Sequence, residues 1–185
     1  IIRRSSDDEI VYVFQHYFLP QKKIDQLDEH NTQEAPYKIW AERGLVTICE
    51  GTRVDYSAVT AWYCQMRDEL KIDAFKIGYD RALAGYWVDE MKSNGFDMEA
   101  VAQGPYTWSQ PMREMGAALE GKQVNYNGNP MLVWCLTNTG VKKSGLNNIQ
   151  PVKITEKRRI DGMVSLLNAW TIYVKYYEDF MYNVG

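Results

Sequence analysis

Two carboxylates stand where a fold could use them. Asp80 closes the short apolar run Ala74–Tyr79 (AFKIGY), and Asp161 opens the last long apolar stretch directly after Lys157, Arg158 and Arg159. A short run with so few charges reads as a strand buried on both faces, which puts Asp80 at the carboxyl edge where open α/β sheets build their sites. Carboxylates so placed suit hard, strongly hydrated cations such as Mg²⁺ or Mn²⁺, which take few protein oxygens and complete their shells with water and phosphate. Two such ions about 3.5–4 Å apart activate a water and stabilise the leaving oxygen of a phosphodiester, while nearby cations hold the phosphate. The plainer role for either residue is a helix N-cap, which Asp performs well. Spacing alone leaves both roles open.

The cations are distributed to match. The chain of 185 residues carries a net charge of −3, which excludes a uniformly basic protein. Yet Val141–Ile160 holds Lys142, Lys143, Lys153, Lys157, Arg158 and Arg159 against one acid, Glu156. A local field of this kind attracts a polyanion whatever the mean charge. Lys153, Lys157, Arg158 and Arg159 are the candidates for nucleic-acid backbone contacts, which position a duplex without reading it; a solvated lysine-rich loop is the ordinary alternative. Other chemistry-bearing residues read as structural. His16 and His30 are not at ligand spacing, Asp55, Asp73 and Glu90 suit caps or surface charge, and Gln103, Gly104 and Asn138 suit turns. The tryptophans and tyrosines fall at helix and strand spacing, where core is the commoner role.

These residues need an α/β frame to hold them. Length and composition, 45% hydrophobic and 24% charged, fit one soluble core, and no apolar stretch reaches the roughly 18–20 residues of a membrane span. Cys49, Cys64 and Cys135 form no CxxC pair, so free buried thiols in a reducing compartment, the cytoplasm, are expected. Strand and helix signals alternate without a repeat. Ile10–Leu19 reads as a strand forming a hairpin with Ile1–Arg4. Helices follow over Gln21–Asn31 and Pro36–Arg43, then a strand at Leu45–Ile48 and an amphipathic helix Tyr56–Leu70 capped by Asp55. After the Asp80 strand come a helix Arg81–Ser93, a strand Met98–Ala102 and a helix Trp108–Leu119 with its cap near Thr107 or Ser109. An extended piece Gln123–Tyr126 precedes a helix opened by the Asn129–Pro130 cap pair. Lys143–Asn148 joins two extended segments, and one helix runs from Ile160 to about Tyr182.

Several of these stretches, in order and spacing, resemble the nuclease domain of tailed-phage terminase large subunits: IGYDR (Ile77–Arg81), QGPYTWSQPMREM (Gln103–Met115), NPMLVWCLTN (Asn129–Asn138) and RIDGMVSLLNAW (Arg159–Trp170). VYVFQHYFLP (Val11–Pro20), PYKIWAERGLVTICEG (Pro36–Gly51) and VDY (Val54–Tyr56) extend the likeness over nearly the whole chain. The resemblance implies one domain over residues 1–185 with a ribonuclease H-like fold, a mixed central sheet flanked by helices. It implies an Mg²⁺- or Mn²⁺-dependent endonuclease that cuts concatemeric double-stranded phage DNA during packaging, with portal protein and small terminase subunit as partners in the intact motor. The family uses three acids. Asp80 matches the one after a central strand and Asp161 the one opening the last helix, while the first-strand acid belongs upstream of Ile1, as does the ATPase; no GxxxxGK[ST] motif occurs in the chain. Weak or absent metal binding is expected without the third acid. Two other readings share these residues: a resolvase- or transposase-type nuclease of the same fold, and a non-catalytic prophage remnant that binds DNA or a portal.

Overall fold

The computed structural model describes residues 1–29, 35–82, 85–145 and 147–184. Its elements are β1 (Val11–Tyr12), β2 (Tyr17–Pro20), α1 (Gln21–Glu29), α2 (Tyr37–Glu42), β3 (Val46–Cys49), α3 (Tyr56–Asp68), β4 (Ile77–Asp80) and α4 (Gly85–Ser93), followed by β5 (Met98–Val101), α5 (Pro105–Glu120), β6 (Val124–Asn125), α6 (Pro130–Thr137), β7 (Thr139–Ser144), β8 (Asn148–Lys153), α7 (Asp161–Lys175) and α8 (Tyr177–Val184). Among the described residues the strands form four pairs: β1 with β6, β2 with β3 and β4 with β5, all parallel, and the antiparallel hairpin β7–β8.

The strand expected over 10–19 divides because its two halves have different partners. Val11 pairs with Val124 and Tyr17–Pro20 with Val46–Cys49; Ile2 bridges antiparallel to Tyr12, which supplies the expected hairpin. The Asp80 strand starts at Ile77, and among the described residues its one partner is β5. Ile77 is buried while Gly78, Tyr79 and Asp80 are half-buried, so this strand is less enclosed than its apolar composition suggests. Arg81 does not open the next helix: Asp80 accepts from the Ala82 amide and residues 81–82 form a turn, and α4 is described from Gly85.

Helix ends follow their caps. Asp55 accepts from the Ser57 amide, and Asn129 accepts from the amides of Met131 and Leu132 ahead of Pro130. α5 starts earlier than expected, at Pro105 with Gly104 as N-cap: proline suits the first helical position because its missing N–H needs no partner there. The last helix breaks at Tyr176. Lys175 donates to Glu99 at 2.6 Å and the Tyr176 hydroxyl donates to the same carboxylate, while the Lys76 ammonium sits 4.9 Å from the Tyr176 ring centroid. These ties to β4 and β5 fix Tyr176 in a non-helical conformation, and α8 starts anew.

The main core lies where α5, α6 and α7 meet β1 and β6, with Met115, Leu132, Cys135, Leu166 and Leu167 each at most 2% exposed. A second cluster, centred on Met91, packs α4 against β4 and β5, and a third joins α1, α2 and β3 through Ile24, Tyr37, Trp40 and Val46. Cys49 and Cys135 are buried free thiols, as expected, whereas Cys64 on α3 is half-exposed. No helix among the described residues is long and apolar enough to cross a membrane.

Candidate functional site

The site is assembled by the way β4 lies on α7. A side chain at Gly78 would meet Ile172 Cγ1, Val101 Cγ2 and the Asn168 carbonyl oxygen at 2.7, 3.0 and 3.2 Å, so the strand backbone lies directly against α7 with no room for a side chain of its own. Four contacts set their relative direction. Phe75 and Lys76, before the strand, meet Tyr176 at the end of α7, and Gly78 meets Ile172 and Asn168 about one and two turns earlier. The strand therefore rises as the helix number falls. From this crossing, Asp80 lies about 7 Å further along β4 at roughly 3.3 Å per residue. Asp161 lies about 10 Å beyond Asn168, and about 16 Å beyond Ile172, along α7 in the same direction at 1.5 Å per residue. Both acids stand at the same end of the fold.

Each acid has its own support. The Asp80 carboxylate is half-buried and accepts from the Ala82 amide at 2.9 Å. Asp161 is exposed in the first turn of α7, and that turn is pinned from below. A Cβ on Gly162 would come within 2.5 Å of Tyr17 Oη; the Tyr17 hydroxyl donates to Gln15 Oε1 at 2.7 Å, and Gln15 Nε2 donates to the Gly162 carbonyl at 3.0 Å. Burial pushes the Cys135 thiol above its ordinary value and the nearby Asp161 carboxylate adds to this, while the Gly162 and Met163 amides act in the opposite sense. Burial likewise raises the Tyr17 hydroxyl, which stays protonated. Gln15 and Tyr17 had no signal in the sequence as parts of the site.

Lys153 ends β8 opposite Thr139, and Lys157, Arg158 and Arg159 occupy the exposed loop that leads to Asp161. Buried Asn138 clamps that loop: its side-chain amide donates to the Arg159 carbonyl at 3.1 Å and its own carbonyl accepts from the Ile154 amide at 3.0 Å. Gly104 is the α5 cap, and both residues are structural, as read. His16 hydrogen-bonds Thr47 Oγ1 at 2.7 Å and stacks on Trp62, also a packing role; His30 lies outside the described residues. Asp55 caps α3 and Glu90 accepts from Ser57. Asp73 lines a groove of about 190 Å³ together with Ile1, Ile2, Phe14 and the start of β4.

The chemistry of the donors fits Mg²⁺ or Mn²⁺: two hard carboxylates at one end of the fold, in a setting where such ions often take one or two protein carboxylates and fill the rest with water and phosphate. No group of three His, Cys, Asp or Glu side chains among the described residues could hold a metal.

Over residues 1–176 the chain matches the family described as "Terminase large subunit, endonuclease domain". It is 27% identical over 173 residues to the terminase large subunit of Enterobacteria phage HK97, with 90% of this chain and 32% of that protein covered. It is 30% identical over 154 residues to protein YmfN of Escherichia coli strain K12, with 79% of this chain and 32% of that protein covered. The crystal structure of the HK97 bacteriophage large terminase matches with a TM-score of 0.78 at 25% identity, over 90% of this chain and 34% of that one. The likeness agrees with the expected α/β architecture of ribonuclease H-like type, its mixed sheet present here as separate pairs. The chain spans about a third of the length of these relatives.

Proposed function

The chain belongs to the terminase large-subunit endonuclease family, and from that premise we propose that it is the nuclease of a phage or prophage DNA-packaging motor, an Mg²⁺- or Mn²⁺-dependent endonuclease that cuts concatemeric double-stranded DNA with little sequence preference. The observation that carries this reading is the crossing at Gly78, which sends Asp80 and Asp161 to the same end of the fold beside an exposed basic loop. Asp80 and Asp161 are the metal ligands and catalytic acids. Bound divalent ions supply charge neutralisation at the scissile phosphate and a more acidic water. The protein's own part is placement: the Ala82 amide orients Asp80, the Tyr17–Gln15 pair fixes the turn bearing Asp161, and Lys153, Lys157, Arg158 and Arg159 hold the DNA backbone.

Residues 1–185 form the nuclease domain, and a further strand carrying a third acid completes it. In the whole motor, in the host cytoplasm, the partners are double-stranded DNA, a portal protein and a small terminase subunit. A second reading, a module that binds DNA or a portal without cutting, is favoured by the lack of three clustered ligands among the described residues.

The test is nicking of supercoiled plasmid in Mn²⁺ by the chain, Asp80→Ala and Asp161→Ala. Cleavage by the parent that either substitution abolishes is expected. Cleavage that survives both would refute the assignment of the acids, and no cleavage by a folded, DNA-binding parent even after the strand with the third acid is restored would favour the second reading.

A further inference from the structure

A cleft of about 520 Å³ opens beside Asp161, between β2, α1, α6 and the first turn of α7. Its position follows from the short strand β2, which holds both of its walls. At one end of β2, Tyr17 packs against Gly162 and so fixes the turn carrying Asp161. At the other end Pro20 leads straight into α1, whose first turn is tied down where the Lys22 amide donates to the Gly51 carbonyl at 3.0 Å. Lys22 and Lys23 line one side of the cleft and Arg159 and Asp161 the other, with Tyr17 and Phe18 between them. Cations outnumber carboxylates along this lining in a chain whose net charge is −3. The span matters as well as the sign. Tyr17 to Pro20 covers about 10 Å of strand at roughly 3.3 Å per residue, enough for the two ends of the cleft to meet different phosphates of one backbone.

We propose that this cleft seats the DNA backbone to one side of the cut, with Lys22 and Lys23 meeting phosphates about one to two nucleotides from the one that Arg159 holds beside Asp161. The inference rests on the nuclease reading above, and it adds a second row of contacts on α1, outside the basic stretch 141–160. Because cations reach the backbone from both sides of the cleft, the strand is fixed in direction as it passes Asp161, which a single flexible loop does not achieve.

The test measures affinity for a short duplex by fluorescence anisotropy in EDTA, over a range of salt, for the chain and for the double variant Lys22→Gln/Lys23→Gln. A second double variant, Lys92→Gln/Lys122→Gln, removes the same charge from exposed positions elsewhere, and melting curves establish that each is folded. The slope of log affinity against log salt is expected to become shallower by about 2 in the first variant, near 0.9 for each lost phosphate contact, and to stay close to the parent value in the second. An unchanged slope in the first, or an equal change in both, overturns the cleft assignment while leaving the nuclease reading in place. Failure of the parent itself to bind duplex at low salt sinks the DNA reading and this inference with it.

Discussion

Replacing Gly162 by alanine adds a methyl group where the fold has no room for one. The new Cβ would lie 2.5 Å from Tyr17 Oη, 2.8 Å from Cε1 and 3.0 Å from Cζ, so the ring must retreat by about 1 Å to restore ordinary contact near 3.5 Å. The ring is not free to do so. Its hydroxyl is bonded to Gln15, and Gln15 is bonded to the carbonyl of Gly162 itself, so any retreat strains the loop that links them. Overpacking of this kind costs about 1–3 kcal/mol, and the helix propensity gained over glycine returns at most about 1 kcal/mol. The expected net loss is about 1–2 kcal/mol, a fall in melting midpoint of roughly 2–8 °C for a chain of this size. Urea denaturation of Gly162→Ala, Tyr17→Leu and the double variant checks the origin of the loss, because contacting residues couple by about 0.5–3 kcal/mol. In the Tyr17→Leu background the alanine should cost little. Strictly additive losses, or a Gly162→Ala protein as stable as the parent, would refute the claim that Tyr17 holds the Asp161 turn by direct contact.

Two further outcomes follow from groups inside the fold. Trp108 Nε1 donates to the buried Asn168 Oδ1 at 3.2 Å, so Asn168→Leu strands the indole N–H and should cost about 1–3 kcal/mol; the loss should shrink in a Trp108→Phe background, and a loss of the same size there would contradict the account. Burial holds the half-buried His16 imidazole below its ordinary value of 6.5. The unfolded chain then takes up a proton near 6.5 that the folded chain resists, so this stability is present above that pH and declines as pH falls through it towards the folded value. Urea midpoints of His16→Gln should decline less than those of the parent over that window, and parallel profiles would rule the contribution out.

What could be read from the sequence was mostly local. Asp55 and the pair Asn129–Pro130 carry their cap chemistry in their own side chains, and both form as read. Asp80 ends a strand and Asp161 opens a helix as expected, because a strand end and a helix start are themselves local signals. Pro105 after Gly104 was an available signal for the start of α5, outweighed by the Thr107–Ser109 cap residues. The rest depended on partners distant in the chain. Nothing in VYVFQHYFLP shows that its first half will pair with Val124–Asn125 and its second with Val46–Cys49. Nothing in the last apolar stretch shows that Glu99 will hold Lys175 and Tyr176 and break the helix. Nothing in the helix sequence QKKIDQLDE shows that β2 will bring Lys22 and Lys23 to the cleft that Arg159 also lines.

Gly78 and Gly162 share a property that bears on how this protein can vary. At each, the main chain is pressed against tightly held groups of another element, Ile172, Val101 and the Asn168 carbonyl in one case and the Tyr17 ring in the other. Elsewhere a changed residue can be absorbed by neighbouring rotamers before it reaches an acid. Here there is little slack to absorb it, and a single added methyl presses on the strand that ends in Asp80 or on the turn that begins with Asp161. Sequence drift across this surface can therefore reshape the loops and the charge along the cleft rather freely, while these two positions act as datum points from which the separation of the acids is measured.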